Sequence, residues 1–149
     1  MKKDYVFTES SSLEHYSADA FTVRCFDDRF WKIFKHFLKS LEIRHIDPSS
    51  VAGGAKIFAM PEKESDRDFM FREIEKSIKL HHTKKVMLFT HTDCGALRGL
   101  SNFNNNKEEE FLFHLDMHSK TRKAVLERFP NIQVETHFID EGGIVKTSE

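Results

Sequence analysis

Lys85-Val86-Met87-Leu88-Phe89-Thr90 is a short, continuous apolar run. A strand with one wet face alternates polar and apolar residues, whereas an unbroken run of this length belongs inside a parallel sheet. Parallel strands need crossover helices, and the flanking sequence supplies the patterns for them. Ala20 to Phe26 alternates and is rich in β-formers, predicting a strand that ends in the Cys25-Phe26-Asp27-Asp28-Arg29 segment. Phe30, Ile33, Phe34, Phe37, Leu38 and Leu41 then recur at helical spacing, with Asp28 as the expected N-cap. Pro48 excludes a helix between Ile43 and Ala59 and is tolerated only at a strand edge or end. Ser65 with Asp68 resembles a capping box opening a helix from Asp66 to about Leu80; Phe71, Ile74 and Ile78 are its expected stripe, with Met70 near the edge. Asn106 can cap a further helix running to about Phe129 and stopped by Pro130, with Glu108, Glu109 and Glu110 as favourable charge in its first turn. Ile132 to Ile139 alternates as a last long strand before the Gly142-Gly143 turn. Strand and helix alternate throughout, so the expected fold is α/β, with a mostly parallel β-sheet flanked by helices.

At 149 residues the chain fits one domain, expected over 20–149, with the polar residues 1–19 as an N-terminal arm. Its 23 basic and 24 acidic residues give a formal net charge of -1, which offers no electrostatic case for nucleic acid or an anionic membrane. Fifteen phenylalanines predict an aromatic core. No apolar run approaches a membrane span and the N-terminus has no signal-peptide h-region, so the expected compartment is the cytoplasm. In a reducing compartment the two cysteines read as metal ligands or buried thiols rather than a disulfide.

The predicted strand at 85–90 runs straight into His91-Thr92-Asp93-Cys94-Gly95. Together with Cys25 this places both cysteines and one histidine at strand ends, where ligands gather in parallel sheets. Two thiolates and an imidazole are three ligands of a tetrahedral zinc site with an open fourth position, the arrangement of a catalytic zinc. Cys and His ligands favour zinc over magnesium or calcium. Asp27, two residues beyond Cys25, projects to the same side, and Arg29 two further on can hold its carboxylate ionised.

Cys25-x-Asp27-x-Arg29, then Ala52-Gly53-Gly54, then His91-Thr92-Asp93-Cys94-Gly95 closely resembles the β-class carbonic anhydrases in order and approximate spacing. The terminal HFIDEGGIVK is similar to that family's last core strand and hairpin, so the resemblance runs from about Ala20 to Lys146. It implies one zinc per chain held by Cys25, His91 and Cys94, a catalytic dyad of Asp27 and Arg29, and a lyase activity. The reaction would be reversible hydration of carbon dioxide to bicarbonate by a zinc-bound hydroxide. It also implies a homodimer or higher homo-oligomer with residues 1–19 packed on the partner, and a Gly53-Gly54 loop bordering the substrate pocket. Ser50-Val51 replace the family's usual Arg-Asn before Ala-Gly-Gly, Ala96 replaces a common methionine, and the chain is short for the family. Two other readings share the motif: a carbonyl sulfide or carbon disulfide hydrolase, and a non-catalytic zinc-binding protein of the same fold.

Other chemistry-bearing residues have plainer readings. Asp93 reads as a loop-stabilising hydrogen bonder, and Glu108 to Glu110 as helix-start charge rather than a metal cluster. His114 and His118, at i and i+4 without the glutamate of an HExxH motif, read as packing or solvated residues, and His81-His82 as a surface loop.

Overall fold

In a computed structural model describing residues 1–149, five strands form one sheet: β1 (Ala20–Arg24), β2 (Ile46–Ser50), β3 (Lys85–His91), β4 (Gln133–Asp140) and β5 (Gly143–Lys146). Their order is β2-β1-β3-β4-β5, with the first four parallel and β5 antiparallel to β4. The unbroken apolar run is the central strand, and Val86 to His91 are all buried. Helix α1 (Trp31–Ser40) covers one face, and α2 (Lys56–Ala59), α3 (Glu64–His81) and α4 (Lys107–Arg128) cover the other.

Side-chain alternation divides the core. Phe21, Val23, Val86 and Leu88 pack with Phe58, Met70, Ile74 and Val125 from α2 to α4. Ala20, Met87 and Phe89 meet Phe34 and Leu38 of α1. The expected aromatic packing is present there: Phe34 and Phe89 meet edge to face at 5.1 Å. A third, smaller cluster joins Cys25, Cys94, Leu97 and Met117 at the carboxyl end of the sheet.

Several local expectations shift. The first strand stops at Arg24 rather than Phe26, leaving Cys25 just past the strand. Asp27, not Asp28, is the cap: its Oδ1 accepts from the Arg29 N–H at 3.0 Å, opening a 3-10 turn over Asp28–Phe30 that leads into α1. Helix α3 starts two residues early, and its box is Asp66, whose carboxylate accepts from the Lys63 N–H at 3.2 Å, not Ser65 with Asp68. On this helix Met70 and Ile74 are fully buried while Phe71 and Ile78 lie at the margin of the core. His81 is the last residue of α3, not part of a loop, and its Nδ1 lies 2.7 Å from Asp47 Oδ2. Pro48 sits mid-strand opposite Thr22, tolerated because β2 is an edge. Asn106 caps α4 as expected, accepting from the Glu108 and Glu109 N–H groups at 3.0 and 3.2 Å. Residues 1–19 contain no helix or strand; Tyr16 reaches back to Asp47 Oδ1 at 2.7 Å. No helix is long and apolar enough to cross a membrane.

The topology decides where a site can form. From β1 the chain crosses over one face to β2, then over the other face to β3 on β1's far side. The switch point therefore lies between β1 and β3, and a crevice opens there at their carboxyl ends.

Candidate metal centre

Cys25 follows the last residue of β1 and His91 is the last residue of β3, so the switch point holds both. Asp93, in the left-handed region at φ 53°, turns the chain after β3 and returns Cys94 to the same place. The Cys25 and Cys94 sulfurs and a His91 ring nitrogen all lie within 4.8 Å of one another. The three residues are 7%, 2% and 3% exposed in the order Cys25, Cys94, His91.

The donor set fits a metal ion. His91 Nδ1 is 2.7 Å from the Thr92 carbonyl oxygen, which can only accept, so Nδ1 carries the proton and Nε2 presents its lone pair. That Nε2 is buried with no hydrogen-bond partner. The Phe30 ring, 4.7 Å from the imidazole centroid, packs against the histidine. The electrostatics also call for a cation. The Cys94 thiol donating to Cys25 is the largest influence holding the Cys25 sulfur well below the ordinary thiol range, and it outweighs burial; His91, the Gly53 N–H and the Asp27 N–H add to it. The proton so shared raises Cys94. Burial is the largest influence on His91 and opposes its charge, yet the Cys25 sulfur, the Thr92 carbonyl and Asp27 together raise it above the ordinary histidine range. Two sulfurs sharing one proton, beside an imidazole drawn toward positive charge, are what a thiophilic cation would neutralise.

Gly53 and Gly54 close the site from the α2 side. The Gly53 N–H donates to Cys25 Sγ at 3.4 Å. At Gly54, with φ +54°, an added Cβ would stand 2.3 Å from the Phe89 carbonyl oxygen and 2.7 Å from the Cys25 nitrogen. The two glycines let one loop pass between the ends of β1 and β3.

Asp27 and Arg29 stand beside the cluster. Arg29 Nη2 and Nε donate to Asp27 Oδ2 at 2.8 and 3.2 Å, and Nε also reaches Oδ1 at 3.1 Å. The Arg29 guanidinium is the main cause of the low Asp27 pKa of about 2. Asp27 Oδ2 lies 3.8 Å from His91 Nε2, which places the carboxylate at the edge of the cluster rather than inside it. Asp93 holds Arg29 from the other side, through Oδ2 at 3.1 Å and its carbonyl at 3.0 Å, while its Oδ1 accepts from the Leu100 N–H at 2.8 Å. Asp93 is thus the loop-stabilising group expected, and it also fixes the arginine. A cavity of about 640 Å³ opens along Arg29, Phe30, Thr92 and Asp93, bordering the outer side of this pair.

Glu110 departs from its sequence reading. It is 1% exposed, and its carboxylate accepts from the Thr92 hydroxyl and the Asp93 N–H, both at 2.6 Å. It clamps the His91–Cys94 loop from α4. A signal for it exists: Glu110, His114, Met117, His118, Thr121 and Val125 recur at helical spacing and form the buried face of α4. His114 and His118 are buried packing residues. Thr90 Oγ1 lies 2.8 Å from His114 Nδ1 and 2.7 Å from His118 Nε2.

A family profile described as "Putative carbonic anhydrase" matches residues 17–148. An uncharacterized protein of Rickettsia bellii is 25% identical over 135 residues, covering 87% of this chain and 80% of the relative. An uncharacterized Rickettsia conorii protein is also 25% identical over 135 residues, covering 87% of this chain and 71% of that relative. Among solved structures, the fold resembles β-carbonic anhydrase isoform I of Trichomonas vaginalis, with TM-score 0.62 and 14% identity over 93% of this chain and 87% of that one. A carbonic anhydrase of Glaciozyma antarctica aligns with TM-score 0.57 and 16% identity, covering 90% and 84% of the two chains.

Proposed function

This chain belongs to the carbonic-anhydrase-like family matched over residues 17–148, and from that membership and the site geometry we propose that it is a zinc-dependent carbonic anhydrase. The reaction is the reversible hydration of carbon dioxide to bicarbonate. The observation that carries the reading is the meeting of Cys25, His91 and Cys94 within 4.8 Å beside the Asp27–Arg29 pair. Cys25, Cys94 and His91 Nε2 would hold one zinc, which when bound lowers the pKa of a water toward about 7 and so supplies hydroxide near neutral pH.

The protein's own groups do the rest. The Thr92 carbonyl keeps the proton on His91 Nδ1, so that Nε2 is the free donor at every pH where the ring is neutral. Asp27, with its pKa near 2, is ionised throughout the neutral range. Such a weak base does not remove a proton at pH 7; it accepts a hydrogen bond, orienting a protonated oxygen and repelling an anionic one. Arg29 holds that carboxylate by three bonds, and Asp93 and Glu110 hold Arg29 and the loop in turn. Residues 20–149 act as the zinc-binding unit. Residues 1–19 serve as an arm on a partner subunit in a homo-oligomer.

The test is stopped-flow carbon dioxide hydration on zinc-loaded protein from about pH 7 to 9, a span that brackets the expected ionisation, together with zinc analysis. We expect zinc-dependent turnover. Asp27→Asn should retain zinc with much reduced turnover, and Cys94→Ser should lose the metal. Bound zinc with no turnover at any pH would overturn the enzyme reading, and unchanged zinc stoichiometry in Cys94→Ser would overturn the ligand assignment.

A further inference from the structure

Arg24, the residue before Cys25, is a buried cation with no ion-pair or hydrogen-bond partner in the chain. It is 8% exposed, its Nε is enclosed without a hydrogen-bond partner, and its side chain forms no ion pair. The guanidinium lies over Trp31, 4.4 Å from the ring centroid, and 5.3 Å from that of Phe34. Burial opposes its charge, while Cys25, Asp27 and Asp28 favour it from nearby. None of the three is bonded to it: Cys25 belongs to the metal cluster, Asp27 is held by Arg29, and Asp28 opens the 3-10 turn. Thr22, two residues earlier on the same face of β1, is also fully buried with its hydroxyl unpartnered. A second cation approaches the same indole, with Lys35 Nζ 5.2 Å from the Trp31 centroid. Between Trp31 and Ser40 helix α1 carries Lys32, Lys35 and Lys39 and no acidic residue.

An enclosed guanidinium Nε is costly to leave without an acceptor. Stacked on an aromatic ring it keeps its N–H donors in its own plane, a fork suited to two oxygens of one oxyanion. The Lys35 ammonium near the same ring adds a second positive charge, which favours a dianion over a monoanion. We propose that Arg24, Trp31 and Lys35 form a binding site for a small dianionic oxyanion of the phosphate class, inorganic phosphate or a soluble phosphate monoester. The site uses none of the groups of the metal centre.

Trp31 is the only tryptophan, so its fluorescence reports this site. Titrating the full chain with inorganic phosphate at constant ionic strength should give a saturable change in emission, with the same dissociation constant by calorimetry. Arg24→Met, which keeps the buried stem, should weaken binding about 10- to 100-fold, the worth of a charge-assisted hydrogen bond or two. Lys35→Gln, at an exposed helix position, should weaken it several-fold, and acetate should bind more weakly than phosphate. The absence of saturable binding by both methods overturns the site, as does a response that sodium chloride reproduces. Where Arg24→Met does not fold by circular dichroism, Lys35→Gln and acetate decide: phosphate affinity unchanged in Lys35→Gln and equal to that of acetate overturns the proposal.

Discussion

Gly54 occupies a position that a side chain would wreck. Its φ of +54° is one an L residue adopts only under strain, and a Cβ would press on the Phe89 carbonyl and the Cys25 nitrogen. Gly54→Ala should therefore cost about 3 kcal/mol or more, from overpacking plus backbone strain. Urea unfolding would read it, and wild-type stability would mean that the loop is free to move aside. Glu110 matters for the opposite reason, since its carboxylate is buried and both of its oxygens accept hydrogen bonds. Glu110→Gln replaces two charge-assisted bonds by neutral ones, since its Oε1 can keep the Asp93 N–H only if the Thr92 hydroxyl turns from donor to acceptor toward Nε2. We expect a loss of about 2 kcal/mol together with weaker metal retention on dialysis; unchanged values for both would remove Glu110 from the support of the loop. Gly53-Gly54 announces itself in sequence because paired glycines have few other uses. Glu110 does not, because a glutamate in a first helical turn is already explained by the helix dipole.

The elements place these residues, and their ends decide the placement. Asn106 starts α4, and that start sets which residues of the helix face the His91–Cys94 loop. Asn106→Ala should cost about 1 kcal/mol, the worth of an N-cap, measurable as a lower urea midpoint with unchanged m-value. A midpoint equal to wild type would mean that packing alone sets the helix start. At the head of α1, two adjacent aspartates both suit a cap, and spacing alone does not choose between them. The choice falls to Asp27, so the carboxylate proposed for catalysis also shapes the turn that brings Arg29 back onto it. At the head of α3 the box is closed by Asp66 rather than by Ser65 with Asp68, the helix starts two residues early, and Met70 lies in the centre of the core rather than near its edge.

Across the whole molecule, the buried histidines couple stability to acidity. His114 is lowered to about 3 and His118 to about 4, burial being the main cause in both, with His118 and His137 respectively as like-charged neighbours. His137, stacked on Phe89 at 4.9 Å, is lowered to about 4, again mainly by burial. Unfolded, each ring returns to its ordinary value of 6.5, so in that window the unfolded chain binds more protons. Stability from these groups is therefore intact above pH 6.5 and is lost as pH falls from there toward about 4, by about 1.4 kcal/mol per proton and pH unit. Urea midpoints at pH 7 and pH 5 would measure it, and equal midpoints would mean that the rings are protonated in the fold.

The α/β class, the central strand and the candidate ligands Cys25, His91 and Cys94 were legible in the sequence because each rests on local pattern: an unbroken apolar run, helical spacing, and a motif at a strand end. The pairing of Asp27 with Arg29 was expected from their spacing on an extended chain, but it is made by the 3-10 turn over Asp28–Phe30, which brings Arg29 back onto Asp27. Tertiary structure alone decided that β1 and β3 lie side by side across the switch point, bringing Cys25 within reach of residues more than sixty positions away. It also decided that Glu110 holds the loop, that Asp93 shares Arg29 with Asp27, and that Arg24 is buried over Trp31 without an acceptor. These are contacts between distant segments. Their energy depends on burial and on which polar groups are left unpaired, and no periodicity or spacing within one segment carries that information.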